Sequence, residues 1–267
     1  MSLPANWRPR MIFFDLDDTL IHEAATDDGV IDEIADLIWP GRRLAPGALA
    51  EAVRTARREL WQQSGELAYC HRIGTGSSEG LYGDYSGDDP HLRALARFLQ
   101  ETNYRDRVWA IALGSLGIDD ASQAARFARA YAETRRSRHI QLPDALPALQ
   151  HLASVFRLGL ITNGAPKIQR LKLAGSGLAS YFEPVVISGD LGVGKPDPAI
   201  FRHALERAGI LAESALMVGN SVTHDVAGAQ SAGIRAVWIN RTGESCPPEV
   251  HPDLVLRTLD GLTDGLA

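Results

Sequence analysis

Short runs of unbroken apolar residues recur along the chain, each followed by a turn and then by helical spacing. They are Met11–Phe14, 158–161, Val185–Ile187, 215–218 and 237–239, with Leu254–Leu256 as a further candidate. Polar residues do not alternate within them. A strand wetted on one face alternates, whereas a strand covered on both faces does not. The runs therefore predict strands buried on both sides. Between them lie helical patterns such as Ile200, Phe201, Ala204, Leu205 and Ala208, which share one face of a helix starting near Pro198. Asp197 suits its N-cap and Gly209 its end. This order predicts the α/β class, with a doubly wound, mostly parallel, Rossmann-like core.

From about 23 to 141 the pattern changes. Leu49, Val53, Ala56 and Leu60 fall on one side of a helix within 48–63. Leu92, Leu95, Ala96 and Leu99 mark a second helix. Ala124, Phe127, Ala128 and Tyr131 mark a third, with Asp119, Asp120 and Ser122 as cap candidates. No β/α alternation interrupts them, so an all-helical module is inserted after the first strand. The predicted division is 1–21 with 143–267 for the core and 22–142 for the insert. The hinges fall after Leu20-Ile21 and around Leu142-Pro143. Residues 74–90, rich in Gly, Ser and Asp, read as an irregular loop.

Bulk properties narrow the function. A chain of 267 residues can bury a full core. A net charge of -6 and a pI near 5.7 argue against a nucleic-acid binder. No segment is apolar for long enough to span a bilayer, and the first ten residues carry no signal-peptide stretch. Cys70 and Cys246 are isolated, which suggests neither a disulfide framework nor a zinc site. The expectation is a reduced cytoplasmic protein, monomer or homodimer, without a membrane or nucleic-acid partner.

The chemistry-bearing residues follow predicted strands. Asp15-Leu16-Asp17-Asp18-Thr19 comes directly after the first run. Thr162-Asn163-Gly164 follows the second, Gly194-Lys195-Pro196-Asp197 the third, and Gly219-Asn220-Ser221 with Asp225 the fourth. In a parallel sheet all four clusters meet at the carboxyl edge, where open α/β sheets bind ligands. Paired carboxylates near a core are costly unless something pairs them, and a divalent cation would. One carboxylate can attack phosphorus while a second manages protons. A hydroxyl, turn amides and a lysine can hold the equatorial oxygens, and magnesium needs only two or three protein oxygens.

The ordered set DxDxT, TNG, GKPDP and GNSxxxD resembles the haloacid dehalogenase-like hydrolase superfamily, in its phosphatase branch. The resemblance covers about 11–21 and 143–267, and the insert sits where that family places its C1-type cap. It implies Asp15 as nucleophile and metal ligand, and Asp17 as general acid/base with its carbonyl on the metal. It implies that Thr19 fixes the loop. It also implies that Thr162, Asn163 and Gly164 bind the phosphate and that Lys195 neutralises nucleophile and phosphate. Asp18 fits the phosphatase branch, because the dehalogenase branch resembles DxYGT and uses no metal. The implied cofactor is Mg2+ and the implied partner a small phosphomonoester, with the insert as a lid. The TNG motif and the run from Tyr181 to Trp238 resemble branches acting on sugar phosphates or nucleoside monophosphates.

One position departs from the family. Asn220 stands where the fourth motif usually carries an aspartate that ligates the metal. It keeps an oxygen but lacks the charge, which shifts metal binding toward Asp225. Each residue also has a plainer reading. Asn220 is then a turn former, Asp225 and Thr162 are helix caps, Asp15 and Asp17 a loop-capping pair, and Lys195 a surface lysine. His224 reads as a polar helix-start residue. In the insert, His71, Arg72, Tyr82 and Tyr85 read as a solvated loop with an aromatic anchor. Arg135, Arg136 and Arg138 read as a solvated helix end, Trp39, Trp61 and Trp109 as packing. Lys167, soon after the TNG turn, is nearer the predicted edge and slightly more interesting than these. Two alternatives to the phosphatase remain: a phosphate-ligand-binding relative without catalysis, and a hydrolytic 2-haloacid dehalogenase.

Overall fold

The computed structural model describes residues 7–41 and 44–266. The chain opens with β1 (Met11–Phe14), then runs through α1 (Ala24–Ile38), α2 (Ala48–Trp61), α3 (Leu67–Ile73), α4 (Pro90–Glu101), α5 (Tyr104–Ser115) and α6 (Ala121–Ser137). It continues through α7 (Ala145–Ala153), β2 (Arg157–Thr162), α8 (Pro166–Gly175), β3 (Val185–Ile187), α9 (Ser188–Leu191) and α10 (Pro198–Ala208). After β4 (Ala215–Gly219) come a π turn (Val222–Ala227), α11 (Gly228–Ser231), β5 (Arg235–Ile239), β6 (Leu254–Leu256) and α12 (Asp260–Leu266). Two compact units result. One takes the chain through His22 and again from Ile140, and the other is Glu23–His139.

In the first unit the six strands pair in parallel, in the order β3-β2-β1-β4-β5-β6. Alternate residues of each strand feed two separate cores. Ile12, Phe14, Leu158, Leu160, Leu216, Val218, Val237 and Ile239 pack on one face with Leu149 and Leu152 of α7 and Leu262 of α12. Met11, Phe13, Ile161, Met217, Ala236 and Trp238 pack on the other with Ile200, Phe201 and Ala204 of α10. Around β1, β2, β4 and β5 both faces are dry, which is why those sequences lack polar alternation. The edge strand β6 is not buried on both faces, and its Val255 is exposed. Gly159 is required by this packing. A Cβ there would lie 2.7 Å from the Phe13 ring. The hinge segments are held inside this unit: Leu142 N donates to Leu20 O at 2.9 Å and His22 N to Ile140 O at 2.8 Å.

The second unit is helical, and the caps explain its boundaries. Asp120 accepts from the amides of Ser122 and Gln123 and starts α6. Asp89 accepts from Leu92 N, with Pro90 as the first residue of α4. Trp109 and Trp61 are buried, and Trp39 packs on Phe127 with ring centroids 4.6 Å apart. Tyr82 and Tyr85 are buried, while His71 and Arg72 are exposed. One expectation fails here. Arg135 is 0% exposed rather than solvated. It lies on the face of α6 that also carries Phe127, Ala128 and Tyr131, so it points inward. There its Nε donates to Asp27 Oδ1 at 2.8 Å, its NH2 lies 2.6 Å from Glu23 Oε2, and it stacks over Tyr82. Asp27 also pairs with Arg57 at 2.9 Å and accepts from Tyr131 Oη at 2.9 Å. A buried charge persists only when paired in this way.

Burial works against the Asp27 charge, yet Arg135 and Arg57 hold its carboxyl below the usual aspartate value. Asp27→Ala should destabilise the helical unit by about 3–5 kcal/mol, because Arg135 stays buried without its main partner. Urea denaturation followed by tryptophan fluorescence checks this. A depressed folded-state value means that Asp27 stabilises above the unfolded value and that this contribution fades as pH falls through the folded one. The gap between wild type and Asp27→Ala should therefore narrow only in acid, below about pH 4.

Candidate active site

The sheet delivers β1 to its carboxyl end with Asp15 N still donating to Val218 O of β4 at 3.0 Å. The chain then turns sharply. Asp18 adopts a left-handed φ of 57°, its amide donates to Ile21 O at 2.7 Å, and Leu20 N donates to Leu16 O at 2.9 Å. Aspartate tolerates that conformation better than most residues. The turn places Asp15, Asp17 and Thr19 along one rim.

Lys195, from the turn after β3 and α9, reaches this rim. Its Nζ lies 2.6 Å from Asp15 Oδ1 and 2.6 Å from Asp225 Oδ1. All three side chains are buried. Burial pushes Asp15 up to about 6, with Lys195 opposing the rise and Asp225 adding to it. Burial works against the Lys195 charge, but Asp15 and Asp225 hold it above the ordinary lysine value. Burial also lowers His224, and Lys195 nearby adds to the effect.

Asp225 does not start its helix. Ser221 does, accepting from His224 N at 3.1 Å. Asp225 instead gives Oδ1 to Lys195 and takes Ser221 N on Oδ2 at 2.9 Å. Gly219 makes room for it, since a Cβ there would overlap the Asp225 carboxylate. Asn220 meets the rim from the end of β4. Its amide donates to Thr19 Oγ1 at 3.0 Å, and its carbonyl accepts from Trp238 Nε1 at 2.8 Å. The Thr19 hydroxyl lies 3.1 Å from Asp15 Oδ2 and 3.3 Å from Asn220 Oδ1. One hydroxyl within reach of both puts two hard oxygens, one charged and one neutral, side by side. That pair suits magnesium, which favours oxygen ligands and retains waters. Among the described residues, no three His, Cys, Asp or Glu side chains group to hold a metal. The fit therefore leans on the Asn220 amide oxygen, while Asp225 serves Lys195.

The TNG turn joins the network through partners that the sequence reading passed over. Thr162 Oγ1 donates to Gln169 Oε1 at 3.0 Å, and Gln169 Nε2 donates to Asp17 Oδ2 at 3.3 Å. Lys172 Nζ lies 3.0 Å from the same Asp17 oxygen. Both partners are on α8 and are 1% exposed. Lys167, nearer the TNG turn, is exposed. Residues 169 and 172 are one helical turn apart, facing the sheet edge, and that spacing was the available signal. Asn163 clamps the Lys195 backbone in both directions, donating to its carbonyl and accepting from its amide, each at 2.8 Å. Gly164 N donates to Ser188 Oγ at 2.8 Å. The Thr162 hydroxyl and the Gly164 amide, expected to face a phosphate, are thus engaged within the protein, as buried polar groups must be.

The four clusters converge, so the chain can be compared with known proteins on sequence and on shape. The profile of the haloacid dehalogenase-like hydrolases matches residues 9–233. A phosphoserine phosphatase of Thermus thermophilus is 36% identical over 246 residues, 92% of this chain and 94% of its own. A glyceraldehyde 3-phosphate phosphatase of Methanopyrus kandleri is 30% identical, over 79% of this chain and 83% of its own. The hydrolase YfnB of Bacillus subtilis, solved bound to magnesium, superposes with a TM-score of 0.65 at 23% identity, covering 97% of this chain and 99% of its own. That likeness concerns the fold.

Lys195→Met should leave Asp15 and Asp225 facing each other without their cation. In metal-free protein at neutral pH the cost should be about 3–5 kcal/mol. The deficit should shrink in acid as Asp15 takes up its proton. Melting temperatures of both proteins across pH 5–8 in chelator check it (about the range over which a carboxyl raised to this degree titrates).

Proposed function

The chain belongs to the haloacid dehalogenase-like hydrolases, and we propose that it is a magnesium-dependent phosphomonoesterase working through an aspartyl-phosphate. The observation that carries this reading is the buried Lys195 ammonium held 2.6 Å from both Asp15 and Asp225. A carboxylate approaching a phosphate dianion meets like charge, and phosphoryl transfer depends mainly on positioning and neutralisation. Lys195 neutralises one side of Asp15. Asp15 Oδ2, Asn220 Oδ1 and the Asp17 carbonyl would hold magnesium on the other, and the ion would supply charge to the phosphoryl oxygens.

The steps then fall to residues of the chain. Asp15 attacks phosphorus, and the bond to the leaving oxygen breaks. Asp17 protonates that oxygen, then takes a proton from the water that attacks the aspartyl-phosphate, releasing inorganic phosphate and restoring Asp15. Lys172 and Gln169 aim the Asp17 carboxyl. Thr162 turns its proton from Gln169 to a phosphoryl oxygen, and Asn163 and Gly164 line the same turn. Thr19 keeps Asp15 and Asn220 in register.

The substrate is a small phosphorylated metabolite handled in the cytoplasm, with sugar phosphates and nucleoside monophosphates as first candidates. The relatives named for phosphoserine and glyceraldehyde 3-phosphate extend the panel to phosphorylated amino acids and triose phosphates. No helix of the described residues is long and apolar enough to cross a membrane, so the reading needs no bilayer.

Purified protein should release phosphate from p-nitrophenyl phosphate with magnesium and lose that activity in chelator. Asp15→Asn should cut turnover by at least about a thousandfold, as expected when a nucleophile is removed. Full turnover in that variant removes Asp15 from the role. Chloride release from 2-chloropropionate without metal would favour the dehalogenase instead.

Asn220 favours a second reading, a binding protein whose catalysis has lapsed. Asn220→Asp separates the two. A working asparagine ligand predicts a lower magnesium half-saturation and a change in kcat of less than about tenfold, or 1.4 kcal/mol. A rise from almost nothing to ordinary turnover identifies the lapsed site.

A further inference from the structure

The helical unit contains a cavity of about 590 Å³, within the size range of sites for small organic molecules. Two arginines line it, Arg105 in the first turn of α5 and Arg136 near the end of α6. The Arg105 Nε is buried and has no hydrogen-bond partner. Leaving such a donor unmade costs about 1–3 kcal/mol, so its persistence calls for an explanation. Arg136 donates its Nε to Tyr82 O at 2.7 Å, which fixes the plane of its guanidinium. Asn103 opens α5 with a left-handed φ of 49° and no side-chain cap. The first-turn amides of that helix therefore add positive potential to the same wall. Burial and the neighbouring Arg136 both hold the Arg105 guanidinium below its ordinary value, a pressure that an anion would relieve.

The remaining lining sets the kind of anion. Asp84 and Asp106 share the wall. Asp84 accepts from Ser86 N at 2.8 Å, and Asp106 from Asn103 Nδ2 at 3.3 Å. Two guanidinium groups against two carboxylates leave the cavity near neutral overall. A guanidinium fork takes either a carboxylate or a phosphate, but in a cavity near neutral the aspartates repel a singly charged carboxylate less than a phosphate dianion. We propose that this cavity binds the carboxylate of a small organic acid through Arg105 and Arg136. The carboxylate belongs either to a phosphorylated acid or to an unphosphorylated one, and the chemistry of recognition is the same.

The test is NMR on the full chain, following the Arg105 Nε–Hε signal while L-lactate or L-serine is added, with sodium chloride at matched ionic strength as control. The expected result is a saturable shift with a midpoint on the order of 1–10 mM, about 4 kcal/mol of binding or less. Chloride should not reproduce it. Arg136→Met, checked for an unchanged melting temperature, should raise the midpoint at least about tenfold, as loss of a charged hydrogen-bond donor does. A linear or absent response of Arg105, or the same response to chloride, overturns the proposal. The source follows from the same signal with two ligands: a lower midpoint for O-phospho-L-serine than for L-serine assigns the carboxylate to a phosphorylated acid, and the reverse assigns it to an unphosphorylated one. The binding signal needs no turnover, so an inactive protein with a saturating Arg105 response keeps this site and discards the phosphatase.

Discussion

The buried ammonium of Lys195 between Asp15 and Asp225 is the constraint around which the core unit is arranged. Three charges inside a low-dielectric edge are tolerable only if geometry is held closely, because each desolvated ion costs several kcal/mol before pairing. The fold supplies that geometry from three directions. β1 presents Asp15 with its amide still on the sheet ladder. β4 runs into the tight Gly219 turn that seats Asp225. Asn163, at the end of β2, clamps the Lys195 backbone from both sides. The parallel order β2-β1-β4 places all three suppliers next to one another. Any topology that separated β1 from β4 would leave the lysine with one carboxylate.

A second charge pair sits beside the first and does different work. Lys172 and Gln169 hold Asp17 Oδ2, and Gln169 in turn takes the Thr162 proton. Asp15 is therefore tied to the β3 side of the sheet edge and Asp17 to α8. The two carboxylates, only two residues apart, answer to different cations. Their surroundings differ accordingly: burial raises Asp15 despite Lys195, while Asp17 keeps an ion pair with Lys172. The sequence DxD alone carries no such distinction; the distinction comes from what each oxygen touches.

The inner strands were legible because they are buried on both faces, and a dry strand shows as an apolar run. The α10 helix was equally legible, since Asp197 and Gly209 end it by local chemistry. The polar clusters at the carboxyl edge were legible because each follows such a run. What stayed hidden was direction. Asp225 looked like a helix cap because it lies just past a strand, but Ser221 had taken that place and the carboxylate turned to Lys195. Arg135 looked like an exposed helix end because arginine usually is one, yet Asp27, over a hundred positions earlier, was waiting for it. Lys172 and Gln169 were passed over because their partner, Asp17, lies more than 150 residues away. Local pattern reports periodicity and caps; it does not report which distant ion a buried side chain meets.

The charge count around the rim gives Asn220 a physical meaning. Asp15, Asp17 and Asp225 bring three carboxylates, and Lys195 and Lys172 bring two ammonium groups. The rim is then one unit negative, and a divalent cation would leave it one unit positive. An aspartate at 220 would leave it neutral with the cation bound. On the proposed reading, the asparagine would hold a metal less tightly than an aspartate and would leave the metal-loaded rim more attractive to a phosphate dianion. At the short distances of this site, one unit of charge in a medium of effective dielectric near 20 is worth about 4 kcal/mol at 4 Å. That magnitude is enough to make the exchange a trade between two ligands rather than a simple loss. Thr19 and Trp238 fix the backbone of Asn220, whose N–H donates to Thr19 Oγ1 and whose carbonyl accepts from Trp238 Nε1, and the Thr19 hydroxyl lies 3.3 Å from the side-chain oxygen that would face a cation.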